Sequence, residues 1–297
     1  MEYFPEHLRG VETRAFAANG PVVYLMGMPF ATSGSSNPAI SAGPPLNPYE
    51  TDKLLNEYLL FHYGKPSDVL PHAFGPADAL DYPVRCVSEC IAPAQLPART
   101  RALDLGCAVG RSTFELARHF QQVIGIDYSH RFVAAAESIR TTGGVDYMRL
   151  DEGERSTRLR AALPDGIDVA RLSFEQGDAQ ALRDGLGTFE AVLMANLIDR
   201  LRHPLLCLQR IPDLVRPGGL LVLTSPYTWM EQYTPRDNWL GGIASEGGGR
   251  GTLEGLQVHL EPAFRLESTQ DLPFLIREHA RKYQWSVAQA SLWRRNP

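Results

Sequence analysis

The sequence predicts an α/β fold, a mostly parallel sheet with helices on both faces. Two observations carry this reading. Apolar runs of four or five residues recur between positions 102 and 224 and alternate with helical patterns. That is how strands buried on both faces read. The first run, Ala102–Leu105, also passes through Gly106 and Gly110 into a helical pattern, and the next run ends on Asp127.

Residues 1–46 read as a leader, and their Gly/Ser/Pro/Asn-rich stretch, Thr32–Pro48, reads as a linker. Ordered structure is expected from Tyr49, with Thr51 or Asp52 capping a helix over Lys53–Tyr63. Leu54, Leu55, Tyr58, Leu59 and His62 share one face of it, and Gly64-Lys-Pro66 stops it. A second helix opens at Asp81-Tyr-Pro83 and runs through Cys90, with proline at an early helical position. Residues 47–98 therefore form an N-terminal helical cap, and residues 99–297 the main domain.

Within that domain the expected order is strand 102–105, helix 112–120, strand 123–126 and helix 131–140. Strands 172–176 and 191–195, helix 204–215 and strand 220–224 follow, then strands 265–271 and 284–293. Two inserts interrupt the alternation. In 141–171, Val145–Leu150 and Thr157–Leu163 can pair as a hairpin around Asp151–Ser156. The segment 226–251 is rich in aromatics, then glycine. Inserts at the carboxyl ends of strands commonly carry specificity.

The formal charge is −5 with no basic block, which argues against a nucleic-acid footprint. Four cysteines (Cys86, Cys90, Cys107 and Cys207) lack paired metal spacing and read as core thiols, so no metal is expected. Low cysteine use fits a reducing cytoplasm, and no apolar run is long enough to span a bilayer.

The chemistry concentrates on the glycine loop. Glycines let a backbone pass close to a ligand and take positive φ. An acid beyond the second strand suits two ribose hydroxyls. A dinucleotide site would offer GxGxxG to a pyrophosphate. Here the order is Asp104-x-Gly106-x-x-x-Gly110, with a carboxylate that would repel pyrophosphate but suits the ammonium of a methionine moiety. The pattern resembles the first motif of the class I S-adenosylmethionine (SAM)-dependent methyltransferases. That resemblance implies a Rossmann-like, seven-stranded sheet ending in an antiparallel hairpin, with SAM as cofactor and S-adenosylhomocysteine (SAH) as its product. It places Asp104, Gly106, Cys107 and Gly110 along the methionine end, and Asp127 on the ribose. Tyr128 would lie against the adenine, Asp178 with Ala179 would meet its amino group, and Asn196 would lie under the sulfonium.

The flanking segments are more specific. Asn47-Pro-Tyr-Glu-Thr-Asp-Lys-Leu-Leu, Phe61-His-Tyr, Thr224-Ser-Pro-Tyr-Thr-Trp-Met-Glu231, Thr234–Gly242 and Leu272–Ser286 closely resemble the mercaptohistidine N-methyltransferases of ovothiol biosynthesis. The likeness covers roughly Asn47 to Arg295. It implies a stand-alone enzyme that methylates a ring nitrogen of a thiol-substituted histidine, downstream of a separate iron-dependent sulfoxide synthase. A small zwitterion needs a fixed cation for its carboxylate, best a bidentate arginine. Arg85, Arg277 and Arg281 are candidates. Glu50, Glu231 and Glu278 could hold the ammonium, and Tyr49, Tyr227, Trp229 and Trp239 could wall the ring. His62, Tyr63, Asp199 and His279 are candidates for a base. Competing readings are a methyltransferase for another small acceptor, a SAM- or SAH-binding partner without turnover, and an RNA methyltransferase.

Overall fold

The computed structural model describes residues 47–244 and 248–297; the leader and most of the expected linker lie outside the described residues. Thr51 caps the first helix, α1 (Asp52–Tyr63), its hydroxyl accepting from the Leu54 amide at 3.3 Å. A short α2 (Pro66–Val69) and α3 (Tyr82–Ser88) complete the segment before the sheet. The helix expected through Cys90 stops at Ser88.

The strands are β1 (Arg101–Leu105), β2 (Gln122–Asp127), β5 (Leu172–Gln176), β6 (Phe189–Ala195), β7 (Val215–Ser225), β8 (Phe264–His279) and β9 (Lys282–Arg295). They form one seven-stranded sheet in the order β5-β2-β1-β6-β7-β9-β8. The pairs among the first five are parallel, and β9 is antiparallel to both β7 and β8. The strand order reverses between β1 and β6, so the carboxyl ends of β1, β2 and β6 open onto one crevice, where such folds bind ligands.

Strand alternation divides the core between the two faces. Ala102, Ala191, Leu193, Leu220 and Val222 pack with Leu59 and Leu60 of α1, Phe114 of α4 (Arg111–Leu116) and Ile139 of α5 (His130–Thr142). Leu103, Leu105, Val192, Met194, Leu221 and Leu223 face α6 (Pro204–Leu214) and α7 (Thr252–Leu260). Period-two alternation is what distributes one strand's side chains to two layers.

The 141–171 insert folds as the expected hairpin, β3 (Gly144–Glu152) with β4 (Arg155–Ala162), forming a separate two-stranded sheet. Further elements differ from expectation. The first cofactor-side helix ends at Leu116 rather than Phe120, because a looser turn follows. Helix α7 lies where no element was expected; its glycine start and Gly255 hide it. The first strand of the last hairpin extends well past its expected end, to His279, while the return strand, from Lys282, keeps close to its expected bounds. Pro273 argues against a strand in the sequence, but β8 is an edge strand, where a missing N–H costs no ladder bond.

Candidate active site

The loop after β1 is held by its neighbour strand. The amides of Gly106 and Cys107 both donate to the Ile126 carbonyl, at 2.8 and 3.1 Å. Gly110 has φ +88°, and a Cβ there would lie 2.6 Å from the Phe174 ring, so no other residue fits without displacing that ring. Gly106, at φ +80°, is crowded by Leu197 in the same way. Ala108 (φ 49°), Asn196 (φ 51°) and Tyr227 (φ 53°) are also left-handed, although none is glycine. Such conformations cost of order 1–3 kcal/mol each and gather at functional sites.

Asp104 is fully buried. Its Oδ2 accepts from the hydroxyls of Ser112 and Thr113, both at 2.7 Å, while Oδ1 has no partner among the described residues. Burial pushes its carboxyl up to about 6, against the pull of those two hydroxyls. Asp127 accepts from the Ala108 amide at 2.8 Å and the Ser129 amide at 2.9 Å, and burial raises it to about 6 as well. A buried and a half-buried carboxylate, with neutral donors and no cationic partner among the described residues, beside a glycine loop, suit a cationic, ribose-bearing group. The orphaned Oδ1 of Asp104 and the close approach at Gly110 fit SAM in this cradle. The carboxyl-end crevice thus gathers Asp104, Gly106, Cys107, Gly110, Asp127 and Asn196.

The remaining cofactor candidates follow the carboxyl ends of β2 and β5, which pair beside Asp127. Tyr128 is 58% exposed. Asp178 receives the Gln180 amide at 2.8 Å in a local turn, with Ala179 buried beside it.

The N-terminal segment is sewn across this edge. Ser129 Oγ donates to the Tyr49 carbonyl at 3.1 Å, and the His130 amide donates to Glu50 Oε1 at 2.8 Å. Glu50 therefore caps the start of α5 next to Asp127. Tyr63 donates its hydroxyl to the Val109 carbonyl of the glycine loop at 2.7 Å. From α3, Tyr82 donates to Asn196 Oδ1 at 2.8 Å and lies 2.6 Å from Thr224 Oγ1. Tyr82 was missed in the sequence because nothing local distinguishes it from a core tyrosine.

The base candidates separate by their surroundings. Tyr63 is engaged with Val109, and burial raises its phenol well above the ordinary value. His62 Nδ1 is enclosed without a partner among the described residues; burial, helped by Arg111, lowers the imidazole to about 3, so it is neutral and a weak base. Asp199 is fully buried, with Oδ2 accepting from the Thr228 amide at 2.9 Å and lying 3.0 Å from Arg200 Nη1, and Oδ1 without a partner among the described residues. Burial raises its carboxyl. Among the base candidates Asp199 is the one carboxyl, and it shares with Asp104 a buried oxygen without a partner among the described residues. His279 sits at the far hairpin turn, where it accepts from the Arg281 amide at 3.3 Å.

Several candidates for the acceptor are engaged elsewhere. Arg85 donates to the carbonyls of Asp78 and Pro273 and to Glu89, at 2.6 to 2.9 Å. Arg277 is buried, donating to the Asp68 carbonyl at 2.6 Å and to Asp151 at 3.0 Å. Glu278 pairs with Lys282 at 2.7 Å. Arg277, Glu278 and Arg281 follow Asp271, whose partner on β9 faces the end of β7. Arg277 thus lies about 20 Å farther along the strand, at ~3.3 Å per residue. The extended hairpin carries all three past the end of β7, where Arg277 and Glu278 are held in ion pairs of their own. Trp229 and Trp239 stack at 6.2 Å, with their N–H groups donating to Thr252 and the Thr234 carbonyl, as a packed core of the 226–251 insert. Glu231 is exposed. Tyr227 donates to Gln289 of β9 at 2.9 Å, and burial and Asp199 raise it to about 12.

A family profile described as a methyltransferase domain matches residues 97–293. A ubiquinone biosynthesis O-methyltransferase from Azorhizobium caulinodans is 24% identical over 125 residues, which is 42% of this chain and 40% of that relative. Among solved structures, the N-methyltransferase NodS from Bradyrhizobium japonicum, in complex with SAH, is 13% identical with a TM-score of 0.46. The alignment covers 82% of this chain and 99% of NodS. A SAM-dependent methyltransferase from Methanosarcina mazei is 16% identical with a TM-score of 0.45, covering 68% of this chain and 94% of that one. Among the described residues no helix is long and apolar enough to cross a membrane.

Proposed function

The chain belongs to the methyltransferase domain family and is a SAM-dependent methyltransferase, and on that premise we propose that it methylates a ring nitrogen of a thiol-substituted histidine. The observation that carries a small acceptor is the closure of the crevice by the N-terminal segment. Tyr49, Glu50 and Tyr63 are each bonded to the edge formed by β1, β2 and α5. A macromolecule would need that edge open. The finer choice rests on the flanking motifs between Asn47 and Arg295, which resemble the mercaptohistidine N-methyltransferases, and on the polar aromatic character of the cap. The sulfur on such an acceptor would come from a separate iron-dependent sulfoxide synthase.

SAM supplies the electrophilic methyl group when bound. The protein's part is to hold Asp104 and Asp127 against it, exclude water, and present the acceptor nitrogen in line. Asp199 is the group that we assign to the acceptor's ring N–H. Its Oδ1 accepts that hydrogen bond, selects the tautomer with a lone pair on the other nitrogen, and takes the proton as the methyl group is transferred.

A second reading, methylation of a phenolic oxygen on a quinone precursor, is favoured by the sequence likeness to the ubiquinone pathway enzyme. Mass spectrometry of the purified chain with SAM separates the two, given thiol-substituted histidine, plain histidine and a catechol. The expected product is an N-methylated thiol-histidine, with histidine much poorer. Equal rates on histidine and its thiol derivative, a sulfur-methylated product or turnover of the catechol alone would each overturn the assignment.

A further inference from the structure

We propose that Arg200 binds the carboxylate of the acceptor, in an anion site walled by Tyr49, Tyr58 and Tyr233. This rests on the reading that the acceptor is a small amino acid. Arg200 ends the short turn Ile198–Arg200, just past Asn196 and the end of β6. Its Nη1 donates to the carbonyls of Asp199 and Thr228, both at 2.9 Å, and lies 3.0 Å from Asp199 Oδ2. One nitrogen thus fixes the guanidinium plane. Nε and Nη2 have no protein partner among the described residues. Two parallel N–H groups along one edge are the fork that accepts a carboxylate bidentately.

The surroundings favour an anion there. The guanidinium carbon lies 5.1 Å from the centre of the Tyr233 ring. Tyr233 stacks on Tyr49 at 6.3 Å, and Tyr49 meets Tyr58 edge-on at 6.0 Å. The charge of Arg200 acts on the Tyr49 and Tyr58 phenols, opposing the rise that burial imposes on both. The side chain is only 25% exposed, so its cationic charge is partly desolvated and its attraction for an anion is strengthened. Of the other arginines near the crevice, Arg131 is engaged with Asp52 and the Glu50 carbonyl, and Arg111, paired with Glu115 through Nη1, begins α4 directly after the glycine loop, on the cofactor's side.

SAM also carries a carboxylate. Arg200 takes its neighbours from the cap and from the segment after β7, not from the glycine loop, and this assigns it to the acceptor. The same turn places Asp199 beside it, so one short segment would grip the carboxylate and the ring N–H together.

The test compares thiol-substituted histidine with its decarboxylated amine at saturating SAM, using the full-length chain and the variants Arg200→Met and Arg200→Lys. The wild type is expected to prefer the acid by about 10- to 100-fold in kcat/KM, as a charge-assisted pair supplies. Arg200→Met should bring that ratio to about 1 through the KM of the acid, with the KM for SAM unchanged. Arg200→Lys, which keeps the charge but not the fork, should lie between, and it supplies the readout if Arg200→Met does not fold. A preserved ratio in the variants, or a loss that falls on the KM for SAM, would overturn the assignment while leaving the acceptor reading intact. If the wild type methylates neither compound, the acceptor reading fails. Arg200 is then judged by the same ratio, carboxylate over neutral amide, on whichever acceptor is turned over.

Discussion

The crevice at β1 and β2 and the far end of the β8–β9 hairpin both bury charge, and they treat it in opposite ways. At the crevice, Asp104 and Asp127 receive only neutral hydroxyl and amide donors, and burial pushes both carboxyls up to about 6. At the hairpin, Arg277 is paired with Asp151, and Arg149 bridges Asp151 at 2.9 Å and Asp68 at 2.8 Å. Thr157 and the two arginines outweigh burial and hold Asp151 below the ordinary carboxylate range. Charge that meets its partner within the protein ties α2, β3 and β8 together. Charge left without a cation awaits one from outside. Perturbed groups of the second kind mark binding sites, and paired networks mark architecture.

That contrast can be broken by substitution. Asp127→Ala should weaken SAM binding by about 100-fold, since each hydrogen bond to a charged group is worth ~1.5–3 kcal/mol and the Ala108 amide also loses its anchor. Isothermal titration with SAH reads this directly. Unchanged affinity in a folded variant would remove Asp127 from the cofactor site.

Arg277→Met should do the reverse, costing about 2 kcal/mol of stability with SAM affinity preserved. Breaking a buried pair costs ~3–5 kcal/mol, and the figure is lower here because Asp151 keeps Arg149 and some exposure. Denaturant unfolding measures the first effect. A large loss of SAM affinity at native stability would bring the hairpin tip back into the site.

The smallest effect is with pH. The ionised forms of Asp104 and Asp127 suit a cationic, hydroxyl-bearing ligand, so affinity should fall as pH drops through about 6, by at most about tenfold per unit for each group. The ligand-free fold should respond with the opposite sign. Both folded-state carboxyls lie above the ordinary 3.8, so the folded chain binds more protons, and these two groups add stability as pH falls from about 6 toward 4. Asp127→Asn should flatten the affinity profile. An unaltered slope in both Asp104→Asn and Asp127→Asn would show that neither carboxylate titrates against the ligand.

Leu59 and Leu60 are buried in the same core as Phe114 and Phe120, so α1 is part of the fold and not a detachable lid.

The sequence by itself determined the sheet, the glycine loop and the two acids at the ends of β1 and β2. Each is written in contiguous residues: alternating apolar runs, a turn that needs positive φ, a strand that stops on a carboxylate. It also marked Asp199, though not its separation from His62 and Tyr63, because burial and an unpartnered oxygen are properties of packing. Tertiary structure alone decided which cations are available. Arg85 and Arg277 stand in sequence among aromatics and acids while Arg200 has only Asp199 beside it, yet the hairpin's length and the Asp68–Asp151 contacts consume Arg277, and backbone carbonyls consume Arg85. Arg200 keeps one edge unengaged because the segments that surround it, Tyr49 and Tyr58 before the sheet and Thr228 and Tyr233 after β7, meet only in the folded chain. Local propensity can name a residue's element, but a charge's partner is set by which distant segments the fold brings within a few ångströms of it.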